Sequence, residues 1–347
     1  MDSYSTYQAS AQTSPIAQHA LLVLDAVARG GGSRHWQSLR WAAQHGLVPT
    51  QKAFLKAMHI DVDGLARLAY PTSDAVAAQL TTDLLLWFFI ADDQFDERAK
   101  GSSRAEMVAV SEELLGVLLE GDPAAVRTPL GDALLDIRNR LATRMPEQWM
   151  CRFAISMQRY LDGCVLEALN RRQGVVPSQV TYRDIRRASV GTYPCFDVIE
   201  LTMTSALSVD TVAHPDTEAL RDIASDVVAW INDIVSHPKE SAYHDPHNII
   251  SVLMAERGIG AGQALVETQA MIDAATRDFE QLAVSVLSGE HGTELAPYII
   301  GLRNWISAVH VWSYQSERYG QDYLRLSQTA SYDLLNATEQ PALSKTS

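Results

Sequence analysis

Two sets of oxygen-bearing side chains stand where the surrounding pattern calls for plain helical core. In the first, Leu84, Leu85, Leu86, Trp87, Phe88, Phe89, Ile90 and Ala91 run directly into Asp92, Asp93, Asp96 and Glu97. On one α-helix, Leu80, Leu84, Phe88, Asp92 and Asp96 follow an i, i+4 spacing and lie along one slowly drifting stripe. The stripe begins apolar and ends in carboxylates. A buried carboxylate without a partner is expensive, so this ending asks for a cation. Acids one turn apart at the mouth of an apolar wall suit a hard divalent ion such as Mg²⁺. Taken alone, the same residues also describe a solvated helix end.

The second set is Asn232, Ser236 and Glu240, at i, i+4 and i+8. Each step is a lag of about 40° and a rise of about 6 Å, so an amide, a hydroxyl and a carboxylate share one face. These are hard oxygen ligands, suited to one Mg²⁺. Val228 and Ala224 continue the stripe upstream and are apolar, so this helix also runs from apolar wall to polar mouth. Pro238 either kinks the helix or marks its end.

Groups for an anion lie elsewhere. Arg186 and Arg187 precede a break at Ser189, Val190 and Gly191. Arg318 and Tyr319 follow a helix carrying Trp305 and Trp312. Spacing by seven puts Trp305, Trp312 and Tyr319 on one face, as core or as ligand wall. Arginine and tyrosine offer forked and phenolic donors that match phosphate oxygens.

The elements that must position these residues are all helical. Apolar spacing predicts helices over 19–28, 36–45, 57–70, 73–97 with Ser73 as N-cap, 105–119, 130–143, 146–171, 182–190, 195–207, 217–239, 264–287 and 296–314. No run alternates as a strand would, so the expected class is all-α. One domain over 19–325 is expected, with a flexible tail at 1–18 and a partly disordered segment at 326–347.

The 347 residues are 47% hydrophobic, enough for a sizeable core. With 28 basic and 42 acidic residues the formal net charge is −14, which argues against nucleic-acid binding and a polybasic membrane anchor. An anionic ligand would need arginines or metal ions locally. Cys151, Cys164 and Cys195 show no paired spacing, and reduced thiols in the cytoplasm are expected. Residues 1–18 lack the features of a signal peptide. The apolar run at 84–91 is shorter than the roughly 20 residues of a membrane span.

In this order, the aspartate-rich run behind Trp87, Phe88, Phe89 and Ile90, then Asn232, Ser236, Lys239 and Glu240, then Arg318 and Tyr319, resemble class I terpene cyclases of the bacterial single-domain type. The resemblance covers roughly residues 20–325. It implies an α-helical barrel whose two metal motifs face each other and hold three Mg²⁺ ions, or Mn²⁺ in their place, on a substrate diphosphate. Asp92 is then the bridging metal ligand and Asp96 the last acid of its motif, bound directly or at one remove. Asn232, Ser236 and Glu240 match the third metal's ligands. Lys239, Arg318 and Tyr319 match diphosphate donors. The family's diphosphate-sensing arginine stands 46 positions before the motif's asparagine, which lands on Arg186, with Arg187 as competitor. Val190 takes the effector position with Ser189 as linker. Gly191 and Cys195, at and after the break, join Phe88, Phe89, Trp305 and Trp312 as walls of the substrate pocket.

The implied reaction is ionisation of a linear isoprenyl diphosphate, most in keeping with farnesyl diphosphate, and cyclisation of the cation to a terpene hydrocarbon or alcohol. Geranyl and geranylgeranyl diphosphate are the alternatives in chain length. A prenyl-elongating synthase is a rival with the same fold, but it uses a second aspartate-rich motif where this chain has Asn232, Ser236 and Glu240. A non-catalytic helical protein with solvated acids is the rival from another class. A monomer or homodimer is expected.

Overall fold

The computed structural model describes residues 34–98, 104–203, 205–242, 245–319 and 334. The described elements are α-helices and short 3₁₀ turns, with no strand among the described residues. Expectations for 1–18 and 19–28 lie outside the described residues. So does the segment 326–347 apart from Leu334, which is buried and donates its amide to Gln94 Oε1 at 2.9 Å. The helices are α1 (Arg34–Gln44), α2 (Gln51–Met58), α3 (Val62–Ala69), α4 (Ala75–Arg98), α5 (Arg104–Glu120), α6 (Pro129–Ala142) and α7 (Glu147–Gln173). They continue with α8 (Gln179–Ser189), α9 (Thr192–Asp197), α10 (Val209–Ala213), α11 (Pro215–Ala242), α12 (Ile249–Arg257), α13 (Ala261–Leu287) and α14 (Gly292–Gln315).

Helix α4 is apolar on nearly all sides, and a helix of that kind belongs inside other helices. Its Ala75–Phe95 stretch, of mean hydropathy 1.3, is long and apolar enough to cross a membrane, but 72% of it is buried within the protein. Helix packing therefore covers the surface that a bilayer would otherwise cover. The N-cap is Asp74, not Ser73: its carboxylate accepts from the amides of Val76 at 2.9 Å and Ala77 at 2.8 Å. The one acid inside its apolar run, Asp83, accepts from Arg140, Ser38 and Gln79.

Six helices close a ring. Around it, α3 packs on α4, α4 on α7, α7 on α8, α8 on α11, α11 on α14, and α14 back on α3. Helices α1, α5, α6 and α13 cover the ring from outside. The segment expected as one helix over 57–70 is two, because Asp61 caps a new start by accepting from Gly64 N at 3.0 Å. The segment expected at 195–207 is a short α9 from Thr192 followed by a 3₁₀ turn, Val198–Thr202. Pro194 falls in the first turn of α9, where a missing amide proton does no harm. Pro238 neither ends nor breaks α11, which continues to Ala242. Trp305 and Trp312 share α14, but α14 stops at Gln315, and Tyr319 lies in a separate 3₁₀ turn, Glu317–Tyr319. The shared face expected for all three does not extend to Tyr319.

Candidate active site

All six ring helices contribute to one pocket of about 1070 Å³, its open mouth included. The deeper wall is apolar: Leu65 from α3, Leu85, Phe88 and Phe89 from α4, Tyr160 from α7, Val228 from α11, and Trp305, Val309 and Trp312 from α14. Phe88 meets Tyr160 edge-on at 5.1 Å, and Phe89 stacks on Trp312 at 5.3 Å. Trp305 is held by the edges of Tyr70 and Phe196. Trp87 points out of the ring and donates to Leu130 O at 3.0 Å.

Most polar residues lining the pocket come from the C-terminal parts of α4, α7, α8 and α11. Asp92, Asn232, Ser236 and Glu240 all line it, so the two oxygen stripes meet in one space. Arg186, Ser189, Val190, Gly191, Cys195 and Arg318 line it as well. The side chains of Asp96, Lys239 and Tyr319 lie outside the described residues, and their expected roles stay proposals.

Of the two arginines, Arg186 lines the pocket and Arg187 does not, for a simple geometric reason. Neighbours on a helix point about 100° apart. Arg186 faces the pocket, donating to Asn232 Oδ1 at 2.7 Å and to Asp233 Oδ1 through Nε at 3.0 Å. Arg187 turns to α11 and is pinned by Asp226 at 2.6 Å and Asp222 at 2.6 Å. Asp233 is fully buried and accepts also from Tyr182 and from Ile249 N. This carboxylate holds Arg186 at the pocket wall.

The break after α8 is made by Gly191, whose φ of +72° is left-handed and free of Cβ strain only for glycine. It turns the chain so that Val190, Gly191 and Thr192 reach the pocket. Behind it, Thr192 shares a hydroxyl hydrogen bond with Ser225 at 2.7 Å, and Tyr193 donates to Asp222.

Sequence reasoning missed Glu167 and Arg171 on α7, which also line the pocket. Arg171 donates to Glu167 Oε1 at 2.8 Å and to Asp245 Oδ2 at 2.6 Å, tying α7 to the segment after α11. Asn248, on that segment, donates to both Asp233 O and Glu240 Oε2, each at 2.8 Å. The available signal was their i, i+4 spacing on the face that carries Tyr160. No motif flagged it.

Burial sets the electrostatics of the mouth. It pushes the Glu240 carboxyl up to about 7, with Asp233 and Asp245 adding repulsion. Burial also raises Asp92, against the pull of Arg318. Glu167 goes the other way: burial raises it, but Arg171, His247 and Arg186 outweigh burial and bring it down to about 2. Among the described residues no three His, Cys, Asp or Glu converge into a ready metal cage. The donor set is instead amide, hydroxyl and carboxylate oxygens spread over two helices, with two carboxylates whose ionisation burial opposes. Such a set fits hard divalent cations that take their remaining ligands from water and phosphate oxygens.

Residues 83–278 match the family described as terpene synthase family 2, C-terminal metal binding. The chain is 33% identical to (+)-T-muurolol synthase ((2E,6E)-farnesyl diphosphate cyclizing) of Roseiflexus castenholzii, over 81% of this chain and 87% of that protein. It is 31% identical to germacrene A synthase of Nostoc punctiforme, over 81% and 88% respectively. Among solved structures, that of a-eudesmol synthase superposes with a TM-score of 0.73 at 25% identity, covering 82% of this chain and 94% of that one.

Proposed function

The chain belongs to the class I terpene synthases, enzymes with a metal-binding all-α domain, and from that premise we propose that it ionises farnesyl diphosphate and cyclises the cation to a sesquiterpene hydrocarbon or alcohol. The observation that carries this reading is the meeting of the two oxygen stripes over an aromatic hollow inside one helical ring. The farnesyl diphosphate named as the molecule cyclised by the Roseiflexus relative favours farnesyl over geranyl or geranylgeranyl diphosphate. Residues 19–325 are the proposed catalytic domain, working in the cytoplasm as monomer or homodimer.

In this reading Asp92 with Asp96, and Asn232, Ser236 and Glu240, are the residues that would hold Mg²⁺. When bound, the metal supplies Lewis-acid charge for the departing diphosphate, up to three ions in all. The chain's own residues do the rest. Arg186, kept in place by Asp233, and Arg318, with Lys239 and Tyr319, donate to the diphosphate, worth several kcal/mol each where charge develops. Val190, at the break, aims its backbone carbonyl at the carbon that ionises. Ser189 and Gly191 set that aim, and Cys195 lines the floor beyond.

The cation then rests in a wall without a nucleophilic carboxylate at its depth. The faces of Phe88, Phe89, Trp305 and Trp312 stabilise it by roughly 0.5–2 kcal/mol each. The same walls exclude water during the rearrangement. Incubation of purified protein and Mg²⁺ with geranyl, farnesyl and geranylgeranyl diphosphate, followed by analysis of volatiles, tests the proposal. Farnesyl diphosphate should yield cyclic products, and Asp92→Asn and Asn232→Ala should each lower kcat by about a hundredfold or more. Turnover retained in both variants would overturn the metal assignment.

A further inference from the structure

Helix α2 carries a lysine where its neighbours are core. Lys56 is 3% exposed, flanked by the buried Phe54 and Ala57. Its Nζ lies 2.9 Å from Asp93 Oδ2. The other oxygen of Asp93 faces Arg318, whose Nη2 is 3.4 Å from Asp93 Oδ1 and 3.5 Å from Asp92 Oδ2. Arg318 also lies over the Phe89 ring, 4.5 Å from its centroid. Two carboxylates and two cations thus meet at the edge of the pocket. Asp92 and Arg318 line that pocket, whereas Asp93 and Lys56 stand behind it.

The contacts differ in kind. Lys56 makes a close ion pair with Asp93, while Arg318 is shared at longer range between two acids. A guanidinium that turns from these acids onto a diphosphate would leave Asp93 charged and buried. A buried charge that loses its partner is strongly destabilising, so a second cation must already be in place if the arginine is to leave. Lys56 is that second cation. We propose that Lys56 is a positioning residue, the standing counter-ion of Asp93 that keeps Arg318 exchangeable between the α4 carboxylates and a diphosphate. The inference rests on the reading of Arg318 as a diphosphate donor.

The experiment uses the full chain with Mg²⁺ and inorganic diphosphate as the probe, titrated calorimetrically, beside steady-state kinetics and circular dichroism. Lys56→Met should weaken diphosphate binding about tenfold and lower kcat by a similar factor, while KM changes less. Lys56→Arg should hold both within about threefold of the parent. In an Asp93→Asn background, where no charge waits to be stranded, Lys56→Met should change diphosphate binding by less than about twofold. This background also serves if the single variant does not fold.

Unchanged diphosphate affinity and kcat in Lys56→Met, with only a lower Tm, would reduce Lys56 to a structural part and overturn the inference. An equal loss with and without Asp93→Asn would overturn it too, because Lys56 would then act by another route. Arg318→Met separates the two readings. If it weakens diphosphate binding, the donor reading stands and the Lys56 results are decisive on their own. If it does not, the donor reading fails and takes the Lys56 inference with it.

Discussion

Asp233 makes no contact with solvent, and its carboxylate accepts from Tyr182, Arg186 and the amide of Ile249. Asp233→Asn replaces an acceptor by a group that must donate on one side, toward atoms that also donate. Breaking a buried ion pair costs about 3–5 kcal/mol, which urea denaturation would register. Arg186 would lose its anchor, and kcat should fall further than the loss of folded protein explains. Glu167 carries a pH consequence. Its folded pKa, about 2, lies below its ordinary 4.5, so its stabilisation is present above pH 4.5 and drains away as pH falls toward 2. Glu167→Gln should flatten the acid limb of a stability–pH profile in that window, and an unchanged limb would refute the assignment. At this scale the sequence was legible where chemistry recurs with helical period: Asp92, Asn232, Ser236 and Glu240 reach one pocket as their spacing implies. It was illegible for Glu167, Arg171 and Lys56, whose partners lie 74 or 37 positions away, or one turn along an unmarked helix.

Helix α8 ends against α7 at a point of close backbone approach. A Cβ added to Gly163 would sit 2.6 Å from Ser189 N and 2.8 Å from Ala188 C, so backbone must move to admit it. Gly163→Ala should therefore push the break at Val190 off its aim. The expected result is a loss of about tenfold or more in kcat with a shifted product ratio, since small misplacements near reacting atoms are costly. Gas chromatography of the products reads this out, and an unchanged profile at normal rate would show that the approach is mere packing. Most of the described helices, though not α2, α10 and α12, were legible from apolar period, and the break from Gly191. Three boundaries were not. Asp61 splits 57–70 by capping a new helix, Pro194 sits within the first turn of α9 rather than delaying it, and Pro238 rides inside α11. The first two turn on local capping and on which amide is already unpaired, and apolar period does not register either.

Across the whole molecule, a formal charge of −14 coexists with a pocket proposed to take an anion. On the proposed reading, local arginines and bound cations would reverse the sign at the site. Linkage makes this measurable: diphosphate with Mg²⁺ at a hundredfold excess over Kd should add about 2.7 kcal/mol to folding. Scanning calorimetry should register a Tm rise of about 5 °C, abolished by a chelator. No shift would sink the metal–diphosphate reading. Ring closure has a further consequence in time. The wall that begins at Leu65 on α3 is completed only by α14, near residue 300, so the hollow has a missing side until most of the chain exists. A ribosome adding about 5–20 residues per second exposes the greasy inner face of α4 for many seconds before its last cover arrives. Nascent chains stalled before Gly292 should be favoured clients of holdase chaperones, and chains released past Gln315 should let go of them.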